Sequence, residues 1–356
     1  MKILISGVCG FVGSTIAKNL AFSSSQYEIY GFDNFIRQGS EINIKSLEQL
    51  GITVLNCDLR NSSDIINLPK VDFVIDAAAN PSVLAGLDKS SSSRVLVENN
   101  LTGTINILEY CKKNMAGLIL LSTSRVYSIN ILSELPLFVT QDAYNLNSDV
   151  KLPAGLSALG VSENFSTTSP ISLYGSTKLA SEIMALEYGN AFDFPVYVNR
   201  CGVLAGAGQF GKPDQGIFSY WINCWLRDRE LKYIGFNGTG YQVRDILHPN
   251  DLIPVLENQF KGPEISNEDR ICNFSGGILS SISLKQLSGW CAERFGQRSV
   301  IKDERPRKYD LAWVVLDYSK ASRIWNFKPR MCKDDILCDI ANHAKSNPNW
   351  LNISGA

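Results

Sequence analysis

The sequence predicts an α/β fold: a doubly wound parallel sheet followed by a smaller C-terminal lobe. Two observations carry that prediction. Short runs of almost wholly apolar residues alternate with helical patterns through the first 200 residues, as expected of strands buried on both faces of a sheet. The first run also leads straight into Gly7-Val8-Cys9-Gly10-Phe11-Val12-Gly13, a glycine-rich turn between a strand and a helix. Such a junction belongs to Rossmann-type, dinucleotide-binding sheets.

Taken in order, the predicted strands are residues 2–6, 28–32, 53–57, 73–77, 118–122 and 196–200, with the clearest helical patterns over 12–20, 95–113 and 174–191. Residues 128–172 are too many for a plain connection, and Ile129, Leu132, Leu135, Leu137, Phe138 and Val139 predict that they form a packed lid. Beyond Cys201 the regularity fades. Gly and Pro cluster over 202–216, and shorter elements follow at 231–234, 243–247, 271–274, 284–295 and 334–344. Residues 1–200 therefore read as the dinucleotide-binding domain. Residues 201–356 read as a substrate-binding lobe over the carboxyl edge of the sheet, with an approximate boundary and interleaved lobes.

Composition narrows the function. Lys+Arg 34 against Asp+Glu 35 leaves no field for gripping nucleic acid or an anionic membrane. Nine cysteines without a CxxC pair, and only two histidines, His248 and His343, argue against a metal site. No apolar run is long enough to span a bilayer, and Met1-Lys2 leads directly into the first strand without a signal peptide. The expectation is a cytoplasmic protein with reduced thiols.

Gly7, Gly10 and Gly13 match GxxGxxG. Glycines there let the backbone turn tightly and approach a pyrophosphate, which the following helix N-terminus then favours. Asp33 ends the second predicted strand, twenty residues after Gly13. A carboxylate there accepts from both ribose hydroxyls and repels a 2′-phosphate, so NAD is expected over NADP, although Arg37 leaves NADP open. Asp58 either bonds the adenine amino group or is a plain loop residue. Ala77-Ala78-Ala79 are small enough to let the chain pass close to the pyrophosphate, as small residues in a tight core also would be.

The chemistry is expected from Ser172-Leu173-Tyr174-Gly175-Ser176-Thr177-Lys178. Residues four apart on a helix lie one above the other, so Lys178 can sit beside the Tyr174 phenol and favour its ionised form. Thr123, in Ser122-Thr123-Ser124 at the carboxyl end of the fifth strand, would orient a sugar oxygen while Tyr174 takes the hydroxyl proton. Arg244 and Arg307 offer guanidinium forks that match phosphate oxygens; surface ion pairs are the other reading.

These residues resemble the extended short-chain dehydrogenase/reductase family, the NAD-dependent nucleotide-sugar epimerases and dehydratases, over nearly the whole chain up to Asn326-Phe327-Lys328-Pro329. A narrower resemblance, to the CDP-paratose 2-epimerase group, is carried by Asn199–Gly206, Lys212–Gly216, Tyr233–Phe236, Gln242–His248 and the segment ending in Gly155-Leu156-Ser157. The resemblance implies a cofactor site of the three glycines with Phe11, Val12, Asp33, Asn34, Asp58, Leu59, Ala77, Ala78, Ala79, Asn99, Ser122, Tyr174 and Lys178. It implies catalysis by Thr123, Tyr174 and Lys178, and a nucleotide-sugar site, a CDP-deoxyhexose by the narrower resemblance, at Thr123, Ser124, Arg125, Asn199, Asp214, Gln215, Arg244 and Arg307. It also implies a homo-oligomer, dimer or tetramer, built through a helix bundle that includes residues 174–191. One departure matters: sugar dehydratases carry an Asp-Glu pair after the threonine, and here Ser124-Arg125 stand there, which disfavours dehydration.

Overall fold

The computed structural model describes residues 1–87 and 92–356. Seven parallel strands form the main sheet: β1 (Lys2–Ser6), β2 (Glu28–Asp33), β3 (Thr53–Asn56), β4 (Phe73–Asp76), β5 (Gly117–Thr123), β6 (Val196–Cys201) and β7 (Ile271–Phe274). Their order is β7-β6-β5-β4-β1-β2-β3. The chain leaves β1 in one direction for β2 and β3 and in the other for β4 to β7, so the carboxyl edge opens into a crevice between β1 and β4, where ligands of such sheets bind.

The apolar runs fold this way because both faces are covered. Ile3, Leu4, Ile5, Val74, Ile75, Leu118, Leu120, Val196 and Val198 are all buried, divided between two clusters on the two faces of the sheet. The strand at 271–274, grouped by the sequence with the C-terminal elements, pairs with β6 and closes the main sheet instead. The chain has by then built part of the second lobe and returned.

That lobe holds a small sheet of Val203–Leu204, Val243–Leu247, Ser281–Ser283 and Trp313–Val314, together with the helices Ile217–Leu226, Leu284–Phe295 and Lys333–Ser346. Its own core gathers Trp221, Trp225, Trp290, Leu287, Ile336 and Ile340. Residues 128–172 pack as expected, with Leu132, Leu135 and Phe165 buried against Trp313–Leu316. They form a flank, however, and not a lid. None of them lines the central cavity, and Phe138 and Val139, expected inside, are 49% and 50% exposed. Among the described residues no helix is long and apolar enough to cross a membrane.

Candidate active site

The crevice opens into a cavity of about 1080 Å³ that runs from the glycine turn to the second lobe. At its first end, Gly7 takes φ +62°, and a Cβ on Gly13 would stand 2.2 Å from the Gly7 carbonyl oxygen, so only glycine permits this closeness of turn and helix. The helix Phe11–Ser23 starts with no side-chain cap and no acid in its first turn, leaving its leading N–H groups to meet an anion. Ala77 and Ala78 donate their N–H groups to Ser6 Oγ at 3.0 and 2.9 Å, and Ser6 donates to Asp76 at 2.6 Å, which pins the small residues beside the turn.

Asp33 is 9% exposed and faces the cavity at the end of β2. Burial raises its carboxyl pKa, and the N–H groups of Phe35, Cys9, Asn34 and Gly10 oppose that rise. Arg37 is occupied: Nη1 donates to Gln215 Oε1 at 2.8 Å and Nη2 to the Phe210 carbonyl. Asn34, Leu59, Asn99, Phe11 and Val12 line the same space. Asp58 does not; a fork from Arg60 at 2.6 to 3.2 Å takes up its carboxylate and holds its pKa down at about 2. These residues fit a dinucleotide: backbone N–H groups for the pyrophosphate, a buried carboxylate for ribose hydroxyls, and, among the described residues, an Arg37 guanidinium already engaged rather than free for a 2′-phosphate.

At the middle of the cavity stand Thr123, Tyr174 and Lys178. The helix Ser172–Phe192 carries the last two, and the Thr123 side chain lies close enough to the Tyr174 phenol to act on its ionisation. Burial raises the phenol's pKa; the Thr123 hydroxyl opposes the rise most, and the charge of Arg125 next. Arg125, which the sequence reading assigned to the sugar, is thus a further cation acting on the phenol. Lys178 is 2% exposed, burial lowers its pKa, and it answers to Asp76 and Glu182. Among the described residues its ammonium has no hydrogen-bond partner, so its donors are free for a ligand. Ser122 lines the cavity, but its hydroxyl is given to Glu182. Cys201, also on the wall, is kept as a thiol by burial, its pKa pushed up to about 12.

Sequence reasoning missed several supports. Glu182 was legible, since 174, 178 and 182 recur every four residues on one helix face. Asp76 was legible as the single acid closing an apolar strand. Arg200, which forks onto Glu182, and Asn100, which bonds Asn80 and Thr177, left no local signal.

Opposite the glycine turn, Ser124 and Arg125 from the end of β5 join Arg244, Arg307 and Asp310 of the second lobe in lining the cavity. Arg244 pairs with Asp310 at 2.9 Å, and burial of the adjoining Asp245, bonded to Ser275 and Leu316, fixes the strand it stands on. Burial and the charges of Arg244 and Arg307 bring Arg125 down to about 10. Asp214 and Gln215 reach the cavity, yet their side chains bond Ser82 and Arg37 across it. Asn199 does not reach it. Its amide exchanges two hydrogen bonds with Gln259 in the core, at 3.0 and 2.9 Å, which removes it from the expected sugar contacts.

Residues 3–257 match the family model described as the NAD dependent epimerase/dehydratase family. The chain belongs to that family. This epimerase/dehydratase is 28% identical over 354 residues to the CDP-paratose 2-epimerase of Salmonella typhi, covering 94% of this chain and 96% of that one. It is 26% identical over 358 residues to a UDP-glucuronate 4-epimerase of Thermodesulfobacterium geofontis, covering 97% and 96%. Its fold matches the UDP-glucuronic acid 4-epimerase of Bacillus cereus solved with UDP-glucuronic acid and NAD, with a TM-score of 0.75, 25% identity and coverage of 97% and 99%. It is an NAD-dependent enzyme of the extended short-chain dehydrogenase/reductase fold.

Proposed function

We propose that this enzyme epimerises a nucleotide-diphosphate sugar, a CDP-linked deoxyhexose, at C2, taking CDP-paratose to CDP-tyvelose. The observation that carries the reading is one cavity joining the glycine turn, the Thr123, Tyr174 and Lys178 cluster, and an arginine-rich wall, with no acid after Thr123. The similarity to a CDP-paratose 2-epimerase along almost the whole chain supports the choice of carbon and base. In this reading NAD, held by the glycine turn and Asp33, supplies the hydride acceptor and donor. Thr123 orients the reacting hydroxyl, Tyr174 accepts its proton and later returns it, and Lys178 holds the cofactor ribose and steadies the phenolate. Arg244 and Arg307 grip the diphosphate. The sugar turns over within the cavity between the two transfers, so no net oxidation results. The enzyme works in the cytoplasm as a homo-oligomer, a reading supported by exposed Leu173 and Ile183 on the helix Ser172–Phe192.

A second reading, 4-epimerisation of a UDP-sugar, is favoured by the full-length similarity to UDP-glucuronate 4-epimerases and needs the same cluster. The test is incubation with CDP-paratose deuterated at C2, followed by proton couplings and mass of the product. Inversion at C2 with deuterium retained is expected. Solvent hydrogen at C2 would overturn hydride transfer, inversion of a UDP-sugar at C4 alone would overturn the substrate, and binding of NAD without any turnover would mark a silent sensor.

A further inference from the structure

We propose that the second lobe sets which dinucleotide the first lobe accepts: Trp350 is a positioning residue that, through Phe210, withholds Arg37 from a ribose 2′-phosphate. Arg37 follows Asp33 by four residues, is half-buried and lines the same cavity. A guanidinium near that carboxylate is what accommodates the extra phosphate of NADP. Here it is given to the opposite lobe instead. Nη1 donates to Gln215 Oε1 at 2.8 Å, Nη2 donates to the Phe210 carbonyl, and the guanidinium carbon lies 5.9 Å from the centroid of the Phe210 ring.

The groups that hold Arg37 are themselves held from behind. The Phe210 ring stacks on the Trp350 indole, with centroids 5.2 Å apart and planes 17° from parallel, and the His343 ring meets that indole edge-on at 4.5 Å. A column Arg37, Phe210, Trp350, His343 therefore runs from the cavity to the helix Lys333–Ser346. Trp350 Nε1 also donates to the Gln209 carbonyl at 2.8 Å, and Asp339 on that helix accepts the Ala207 N–H at 2.7 Å, so the loop is pinned at three of its first four residues beyond Gly206. Lys212 and Gln215 then exchange two backbone hydrogen bonds, at 2.7 and 3.1 Å, which makes the rest of the loop a tight turn that presents Gln215 to Arg37. The residues beside Trp350 reach the run after Asp33 as well. Gln38 donates to the Asn352 carbonyl at 3.3 Å, and a Cβ on Gly39 would stand 2.6 Å from the Ile353 carbonyl. Phe11 of the cofactor turn packs in one small cluster with Phe210 and Trp350, so the stack also touches the helix that meets the pyrophosphate.

The test reads cofactor binding alone, so an error in the sugar or in the carbon epimerised leaves it intact. Cofactor-stripped wild type, Trp350→Leu and Gln215→Leu are each titrated calorimetrically with NAD and with NADP. The ratio of dissociation constants, NADP over NAD, should fall by about tenfold or more in both variants as the freed guanidinium gains a charge-assisted bond. Adding Arg37→Leu to either variant should bring the ratio back to the wild-type value. A ratio that holds in Gln215→Leu, or NAD and NADP weakened alike in Trp350→Leu, would overturn the proposal and leave Trp350 a packing residue. A ratio that falls but stays low without Arg37 would also overturn it, and would give the phosphate to Lys212, which lines the same cavity. Should Trp350→Leu not fold, Phe210→Leu breaks the same stack from the loop side and is read in the same way. A wild type that itself prefers NADP would show Arg37 already free and sink the premise.

Discussion

Removing one member of the Glu182–Arg200 pair should destabilise the enzyme far more than removing both. Arg200 Nε donates to both carboxylate oxygens at 3.1 Å and Nη2 donates at 2.6 Å, while Ser122 donates to the same carboxylate. Arg200 Nη1 continues to the Tyr127 hydroxyl at 3.3 Å, and Tyr127 to Asn273 at 2.7 Å, so the network ties the catalytic helix to β5, β6 and β7. The two side chains are 5% and 1% exposed. Water cannot replace a lost partner there, so Glu182→Leu or Arg200→Met strands a buried charge at a cost of about 3–5 kcal/mol. Glu182→Leu with Arg200→Met strands none, and a double-mutant cycle should give a coupling of about 2 kcal/mol or more. Denaturant unfolding at one fixed NAD concentration measures it, since bound cofactor adds stability by mass action. Single variants that lose less than about 1 kcal/mol, the worth of an exposed pair, would refute the reasoning. Turnover should fall with stability, because Lys178 lies one turn before Glu182.

Cofactor-stripped enzyme should prefer NAD to NADP in calorimetric titration, because Asp33 stands at the cavity end of β2 and Arg37 is spent on Gln215 and Phe210; equal or tighter NADP binding would show that Arg37 is released. Tyr174→Phe should lower kcat by about 10²–10⁴-fold with nucleotide-sugar affinity near wild type, and retention of most of kcat would remove Tyr174 from the proton path. Arg244→Ala should weaken nucleotide-sugar binding by about 1.5–3 kcal/mol with kcat largely kept; unchanged affinity would leave Arg244 only its ion pair with Asp310.

What the sequence made legible was what it repeats locally. Six strands of the sheet read directly because both faces are buried and each run is apolar throughout. The seventh, Ile271–Phe274, read as a strand but not as part of this sheet, because a strand pattern does not name its neighbour and here the partner is β6. The segment 128–172 read as packed and not as a flank for the same reason: apolar content predicts burial, and only the pairing with Trp313–Leu316 says against what. Asn199 shows the same limit in the site. Its sequence context pointed to the sugar, yet it lies two residues inside the edge of β6, and Gln259, sixty residues on, takes both ends of its amide. The Tyr174 environment was half legible. The four-residue spacing put Lys178 on the right face, but the carboxylates facing it come from β4 and from the next turn, and a further cation acting on the phenol, Arg125, follows β5.

That distribution of charge bears on the outcome of the reaction as we propose it. A keto sugar formed in this cavity can revert by hydride return or lose water, and loss of water needs an acid and a base beside the sugar. Ser124 offers a hydroxyl and Arg125 a guanidinium that, even brought down to about 10, stays protonated near neutral pH and cannot act as a base. Asp310 is the carboxylate on that wall, and it is bound to Arg244 and to the Leu311 N–H. With Asp310 paired and no acid following Thr123, return of the hydride is the favoured course, and the face to which it returns decides the product. Epimerisation then follows from what stands after Thr123 as much as from Tyr174 and Lys178, which the oxidation step alone requires.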